Sequence, residues 1–371
     1  MTSAFALERM ARRFVLLIGC LSGLAGAASG DSVNSTERRV TRLAEGVYTI
    51  RHPDPTDDFP DGNTTVVIGA DGVLVVDTCY LPSSARADIG LIRSWTDKPV
   101  RYVVNTHWHY DHNGGNSAYV EAYPSVVVIA HAETRAMMDA RTPSYIARYV
   151  AEDSVFGNDR ARLRAMLESG RDPEGKPITA EVRATTARNL ARKERAQREF
   201  REFVYRPPAI TIERELAVDL GGRQVQLKFL GRGNTGGDLV VYLPQERVVI
   251  AGDLIDHPVP YAFGGYPSEW IRTLQRLGEL DADVIVPGHG DVMHDKMHLR
   301  SVIALLSSVT AQVNEIVDRL GSAATLEIVA RSVDVTRFRK EMAGDDSDNL
   351  EFFDASIASL VRIVYAEVKA R

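Results

Sequence analysis

Residues 105–116 constrain this chain more than any other stretch. They read Asn-Thr-His-Trp-His-Tyr-Asp-His-Asn-Gly-Gly-Asn. His107, His109, Asp111 and His112 place four side chains able to ligate a metal within six positions, directly after the β-branched run 100–104. Imidazole and carboxylate are typical zinc ligands, and a loop anchored by a buried strand can aim several of them at one point. Gly114 and Gly115 let the backbone turn tightly behind the cluster. Histidine and aspartate at this density point to a metal rather than to isolated structural histidines.

The surrounding pattern alternates strands with helices and predicts an α/β arrangement. From about Arg42 the chain reads as short strands. Val66 to Ile68 and Val73 to Asp77 flank the turn Gly69-Ala70-Asp71-Gly72, a hairpin signal. Val100 to Asn105 and Val126 to Ala130 read as buried strands, with a helix around Ile89 to Trp95 before them. Ile210 to Val218, Val225 to Leu230, Leu239 to Leu243 and Val248 to Ala251 follow as strands. Pro267-Ser268 opens a helix. Val302, Leu305, Val309, Val313, Ile316 and Leu320 recur at helical spacing before Gly321, and Phe353, Ile357, Leu360 and Val364 repeat that pattern.

Residues 142–206 break the rhythm. They are charged, rich in helix formers and thin in apolar spacing. We read them as a helical insertion that supplies no metal ligand and serves as a lid or oligomer contact. The organisation expected is a leader over 1–30, a domain over 42–320 interrupted by this insertion, and a C-terminal helical extension over 321–371.

Composition narrows the function classes. The 371 residues carry a formal net charge of -6, with 44% hydrophobic and 25% charged residues, so a nucleic-acid partner is not expected. Arg12 and Arg13 precede an apolar run from Phe14 to about Ala28 that ends in small residues, the pattern of a secretory signal peptide. That run is shorter than the roughly 20 residues of a membrane span. The expected location is therefore secreted or periplasmic, with no stable membrane span in the mature form. Lipid anchoring at Cys20, after Leu17-Ile18-Gly19, is the rival reading. Removal of the leader leaves Cys79 as the remaining cysteine, read as a buried small residue.

The segment His107-Trp-His109-Tyr-Asp111-His112 resembles the His-x-His-x-Asp-His motif of the metallo-β-lactamase superfamily. Further segments resemble that family in the same order. They are the strand ending in Asp77, the segment 230–244 that carries a third histidine in the family, the strand ending in Asp253, and Val284-Ile-Val-Pro-Gly-His289. The resemblance covers roughly 43–291 apart from the insertion. It implies an αββα sandwich with metal at one edge, here with a helical insertion and C-terminal helices.

Carried over by residue, the resemblance implies His107 and His109 on one metal. Asp111, His112 and His289 take the second, and Asp253 bridges as in glyoxalase II-like hydrolases. Asn234 stands where the family has a histidine, which weakens the first site because neutral amide oxygen suits hard cations better than zinc. One or two zinc ions are expected, with iron or manganese as alternatives. Asp77 is expected to hydrogen-bond the ligand loop's backbone. His257, close after Asp253, could line the pocket or substitute for Asn234. His52, His131, His294 and His298 are read as surface or core.

The resemblance also implies a hydrolase that uses metal-bound hydroxide on a small-molecule carboxylic ester, lactone or thioester, with Asp111 steadying the nucleophile. A β-lactamase, an iron-dependent oxidoreductase of the same fold and a non-catalytic metal-binding protein are the alternatives, and a homo-oligomer is compatible with the insertion.

Overall fold

The computed structural model describes residues 38–52 and 61–371, so the leader expected over 1–30, with Cys20, lies outside the described residues. Seven strands form one sheet in chain order: β1 (Arg39–Ala44), β2 (Val47–Arg51), β3 (Thr64–Ile68), β4 (Val73–Val76), β5 (Val100–Val104), β6 (Val127–His131) and β7 (Ile210–Ile212). β1 to β4 pair antiparallel, and β4 to β7 pair parallel. The hairpin expected between Ile68 and Val73 is closed by Gly69 N donating to Gly72 O at 2.9 Å.

A second sheet has the order β12-β11-β10-β9-β8, with β8 (Glu215–Asp219), β9 (Gln224–Phe229), β10 (Leu239–Leu243), β11 (Val248–Gly252) and β12 (Val284–Pro287). β11 and β12 pair parallel and the other pairs are antiparallel. The two sheets bury Val47, Val67, Leu74, Val104 and Ile129 against Val225, Leu227, Leu239, Val241 and Ile250. A strand covered on both faces reads as a continuous apolar run, which is why 239–243 and 248–252 are buried at every position.

One expectation is corrected here. The stretch 210–218 reads as a single strand, but Ile210–Ile212 pairs with β6 in the first sheet while Glu215–Asp219 pairs with β9 in the second. The exposed pair Glu213 and Arg214 carries the chain from one sheet to the other. Strand propensity is continuous across this break because it carries no information about which sheet supplies the partner.

Helices cover both outer faces. α1 (Pro82–Trp95), α2 (Tyr110–Asn113) and α3 (Asn116–Ala122) make the parallel crossovers of the first sheet. Ala85, Ile89, Ile92 and Tyr119 pack on Val66, Val75 and Val103. Between β6 and β7 lie α4 (Ala132–Val150), α5 (Val155–Ser169) and α6 (Ala180–Arg201), so the helical interruption begins ten residues before the boundary read from charge. On the other side stand α7 (Pro267–Glu279), α8 (Met297–Leu320), α9 (Leu326–Ser332), α10 (Thr336–Ala343) and α11 (Ser347–Lys369). Phe353, Leu360 and Val364 of α11 share one core with Trp270, Leu274, Val302 and Val309, so the C-terminal helices pack with the sandwich. Among the described residues no helix is long and apolar enough to cross a membrane.

The insertion is more than a solvated excursion. Its helices are capped by Ser154 and Thr179, and α5 ends on Gly170 at φ 69. Tyr145, Tyr149, Phe156 and Phe200 form a core with Tyr80 and Tyr110 of the main domain. The Phe200 ring lies 4.6 Å from Tyr149 and 5.4 Å from Tyr110. The apolar spacing looks thin because this core is largely aromatic and is completed by Tyr80, Leu81 and Tyr110 from outside the insertion.

Candidate metal centre

Strand ends from both sheets meet at one edge of the sandwich. β5 delivers the loop holding His107, His109, Asp111 and His112. β11 delivers Asp253, and β12 delivers His289 through Gly288. Gly288 is required by proximity, since a Cβ there would lie 2.0 Å from Asp253 Oδ1.

Asp253 lies between two sets of side chains. Its Oδ2 is 3.3 Å from His107 Nε2 and 3.7 Å from His109 Nδ1, while its Oδ1 is 3.0 Å from His112 Nε2 and 3.7 Å from His289 Nε2. Asp111 Oδ2 is 3.0 Å from His289 Nε2 and 3.4 Å from His112 Nε2. His107, His109 and Asp253 form one group whose ligand atoms all lie within 4.8 Å of one another, and Asp111, His112 and His289 form another. The resemblance implied His107 and His109 on one side, Asp111, His112 and His289 on the other and Asp253 between them, and the structure brings these side chains together.

The hydrogen bonds behind the rings fix their tautomers. His112 Nδ1 donates to Asp77 Oδ2 at 2.8 Å, so Nε2 is the nitrogen turned toward the centre. Thr106 Oγ1 donates its proton to Asp77 Oδ2 at 2.8 Å, so it accepts from His107 Nδ1 at 3.0 Å. Asp77 also accepts Thr106 N at 2.8 Å, the backbone bond expected of it. One carboxylate thus orients rings on both sides of the centre, as ligand-supporting groups commonly do. Among the described residues, His107 Nε2, Asn234 Oδ1 and Asp253 Oδ1 are buried without a hydrogen-bond partner. Orphaned polar atoms are costly when buried, and here they converge from three elements, so the donor set fits a metal ion.

Electrostatics agree. Burial opposes ionisation of Asp253, yet the His112, His107 and His289 rings hold it well below the ordinary carboxylate range. Asp111 is likewise held low, against burial, by His112 and His289. Burial and the neighbouring His107 push His109 down.

Asn234 donates Nδ2 to Asp253 Oδ2 at 3.3 Å, so it occupies the first set's side of the centre. Its loop is held by Asp238, which accepts Gly233 N, Thr235 N and Thr235 Oγ1. Asp256 accepts His289 N at 3.0 Å and positions that residue from behind. Sequence reasoning missed both aspartates, although each follows a loop ligand within a few positions. His257 packs on His298, with ring centroids 5.0 Å apart, and belongs to none of the potential ligand groups. His294 is exposed, His131 caps α4 and His52 is buried. Tyr261 lies 5.8 Å from His109 at the centre's rim, and Arg141 of α4 stacks over Trp108 at 4.8 Å.

A family model described as the metallo-beta-lactamase superfamily matches residues 57–289. The chain is 22% identical to a linear primary-alkylsulfatase of Pseudomonas sp. (strain ATCC 19151) over 262 residues, covering 66% of this chain and 44% of that protein. It is 40% identical to a hydroxyacylglutathione hydrolase of Gloeobacter violaceus over 62 residues, 16% of this chain and 23% of that one. The chain therefore spans less than half the length of the alkylsulfatase. Among solved structures, a metallo-beta-lactamase from Pontibacter korlensis superposes with a TM-score of 0.51 at 20% identity, covering 73% of this chain and 99% of that chain.

Proposed function

Since this chain belongs to the metallo-β-lactamase superfamily, we propose that it is an exported zinc-dependent hydrolase of a carboxylic ester, lactone or thioester. The observation that carries the reading is Asp253, whose two oxygens face two separate sets of ligand atoms. His107, His109 and Asn234 would hold one zinc ion, Asp111, His112 and His289 a second, and Asp253 both. Zinc, when bound, supplies Lewis acidity and lowers the pKa of water from about 15.7 to about 7.

The chain's own residues do the remainder. Asp77 keeps His107 and His112 in the tautomers that face inward. Asp111 stays anionic beside His112 and His289, and it orients the attacking water through its carboxylate. The side chains of His109, Asp111 and His289 keep 16–25% of their exposure, whereas those of His107, His112 and Asp253 keep 2% or less, so substrate enters from the His289 and His109 side. Trp108, Tyr261 and Arg141 border that opening. No serine or cysteine nucleophile is required.

The similarity to alkylsulfatases favours a second reading, a sulfate monoester substrate. One experiment separates these readings. Metal content is measured on the purified chain, and ester, lactone, thioester, sulfate-ester and β-lactam substrates are offered to the zinc-loaded form. Turnover of a carboxylic ester, lactone or thioester that disappears on chelation supports the proposal. Turnover confined to sulfate esters selects the second reading, and confined to β-lactams it makes the chain a β-lactamase. Iron as the bound metal with oxygen uptake marks an oxidoreductase, and no turnover at all marks a non-catalytic metal-binding protein. Export rests on the pattern of residues 12–28, and N-terminal sequencing of protein recovered outside the cytoplasm tests it.

A further inference from the structure

A second group of ligand-type side chains lies behind the centre, wholly buried and unused by the proposed reaction. His52 follows β2, Cys79 follows β4 and Asp88 sits on α1. Their potential ligand atoms all fall within 4.8 Å of one another. His52 Nε2 is 2.9 Å from Asp88 Oδ2 and 3.3 Å from Cys79 Sγ, and Cys79 Sγ is 3.1 Å from Asp88 Oδ2. We propose that His52, Cys79 and Asp88 form a second metal site, for zinc or another thiophilic divalent ion, that braces the catalytic loop.

The surroundings are those of a ligand set. His52 Nδ1 donates to the Gly62 carbonyl at 2.8 Å, which fixes the tautomer so that Nε2 faces the other two atoms. Arg38 Nε donates to Asp88 Oδ1 at 2.8 Å, holding the carboxylate with Oδ2 inward. The Tyr119 hydroxyl is buried without a hydrogen-bond partner among the described residues. Burial and the Asp88 carboxylate push its ionisation up. Cysteine, histidine and carboxylate ligands with one further position suit tetrahedral zinc.

Size and charge both permit the ion. Zinc bonds of about 2.0–2.3 Å put ligand atoms about 3.3–3.6 Å apart in a tetrahedron. The three edges here are shorter by a few tenths of an ångström, a side-chain adjustment. Without metal, Nδ1 donates to a carbonyl and Nε2 faces a carboxylate, so His52 carries two protons and Cys79 one. A divalent cation would displace the Nε2 and Sγ protons, two charges for two, and leave the buried cluster's net charge unchanged. That exchange avoids the cost of adding charge to a buried site.

The site also touches the catalytic loop. Gly62 takes His52 on its carbonyl, and its amide donates to Asp111 O at 3.2 Å. A Cβ at Gly62 would lie 2.3 Å from His112 Cε1, so this backbone is wedged between the two clusters. Cys79 O accepts Gly115 N at 3.2 Å, behind the ligand motif.

Cobalt(II) is the probe. The full chain is stripped by chelation and reloaded with cobalt. A thiolate-to-cobalt charge-transfer absorption should appear in the near ultraviolet, with zinc content falling by one ion per chain in Cys79→Ser. The band should survive Cys20→Ser and His289→Ala, because the other centre offers imidazole, carboxylate and amide alone. No band in the unaltered chain, or a band that persists in Cys79→Ser, overturns the proposal. If Cys79→Ser fails to fold, Asp88→Asn serves in its place with a weaker band expected, and an unchanged titration overturns the proposal equally. The readout is independent of catalysis, so failure of the proposed hydrolysis leaves it intact.

Discussion

Asn234 donates its amide to Asp253 Oδ2 at 3.3 Å while its own buried oxygen has no hydrogen-bond partner among the described residues. The amide therefore stands where the first set needs a third donor and supplies a poor one. Asn234→His should raise zinc content at the centre, or tighten its weaker ion. Measured in a Cys79→Ser background, the centre of the Asn234 chain should hold fewer than two zinc ions. Two tightly held ions there would refute the weakening.

Asp253 faces both ligand sets, so its loss should be felt by both. Asp253→Ala should lower zinc content and turnover together. The circular dichroism spectrum should be little changed, because the two-sheet core lies elsewhere. Unaltered zinc content and turnover would remove Asp253 from the centre.

Asp77 is in neither group of potential ligands, yet it orients His112 directly and His107 through Thr106. Groups in this role contribute about 10–100-fold to metal affinity. Asp77→Ala should weaken zinc binding by about that factor in a competitive chelator titration. A variant with unchanged affinity would make Asp77 a loop support only.

His289 makes the metal-free chain sensitive to pH. Burial favours its neutral form, but Asp253 and Asp111 prevail and push it up to about 9 from 6.5. A raised folded-state pKa contributes stability that is full below the unfolded value and is lost as pH rises through the folded one. The chelated chain should therefore lose melting temperature between about pH 6.5 and 9. Zinc affinity should rise over the same interval, since binding must displace that proton. A chelated chain whose melting temperature is flat there, with pH-independent zinc affinity, would contradict this.

Phe200 joins the insertion to Tyr80 and Tyr110. Phe200→Ala should cost about 3–5 kcal/mol in denaturant unfolding. Zinc content at saturating zinc should persist, because none of the centre's ligands comes from the insertion. Replacing 142–206 by a linker should likewise keep zinc while altering substrate preference or oligomeric mass. A folded variant that loses zinc at saturation would give the insertion a direct part in the centre.

The ligand-bearing loop was legible because its chemistry is local. Four donors in six residues after a buried strand need no tertiary information, and strand and helix periods follow from which face is buried. The αββα architecture followed from the resemblance carried by those motifs, which also named seven candidate ligands. Sheet membership did not: residues 210–218 have uniform strand character, but pairing partners far along the chain divide them between two sheets. The dual hold of Asp77 on two rings, the aromatic seam under the insertion and the cluster of His52, Cys79 and Asp88 were equally silent. Their members are separated in sequence and ordinary in their local surroundings. Each is defined by side chains converging from different elements, and that convergence exists only once the two sheets and their helices have packed.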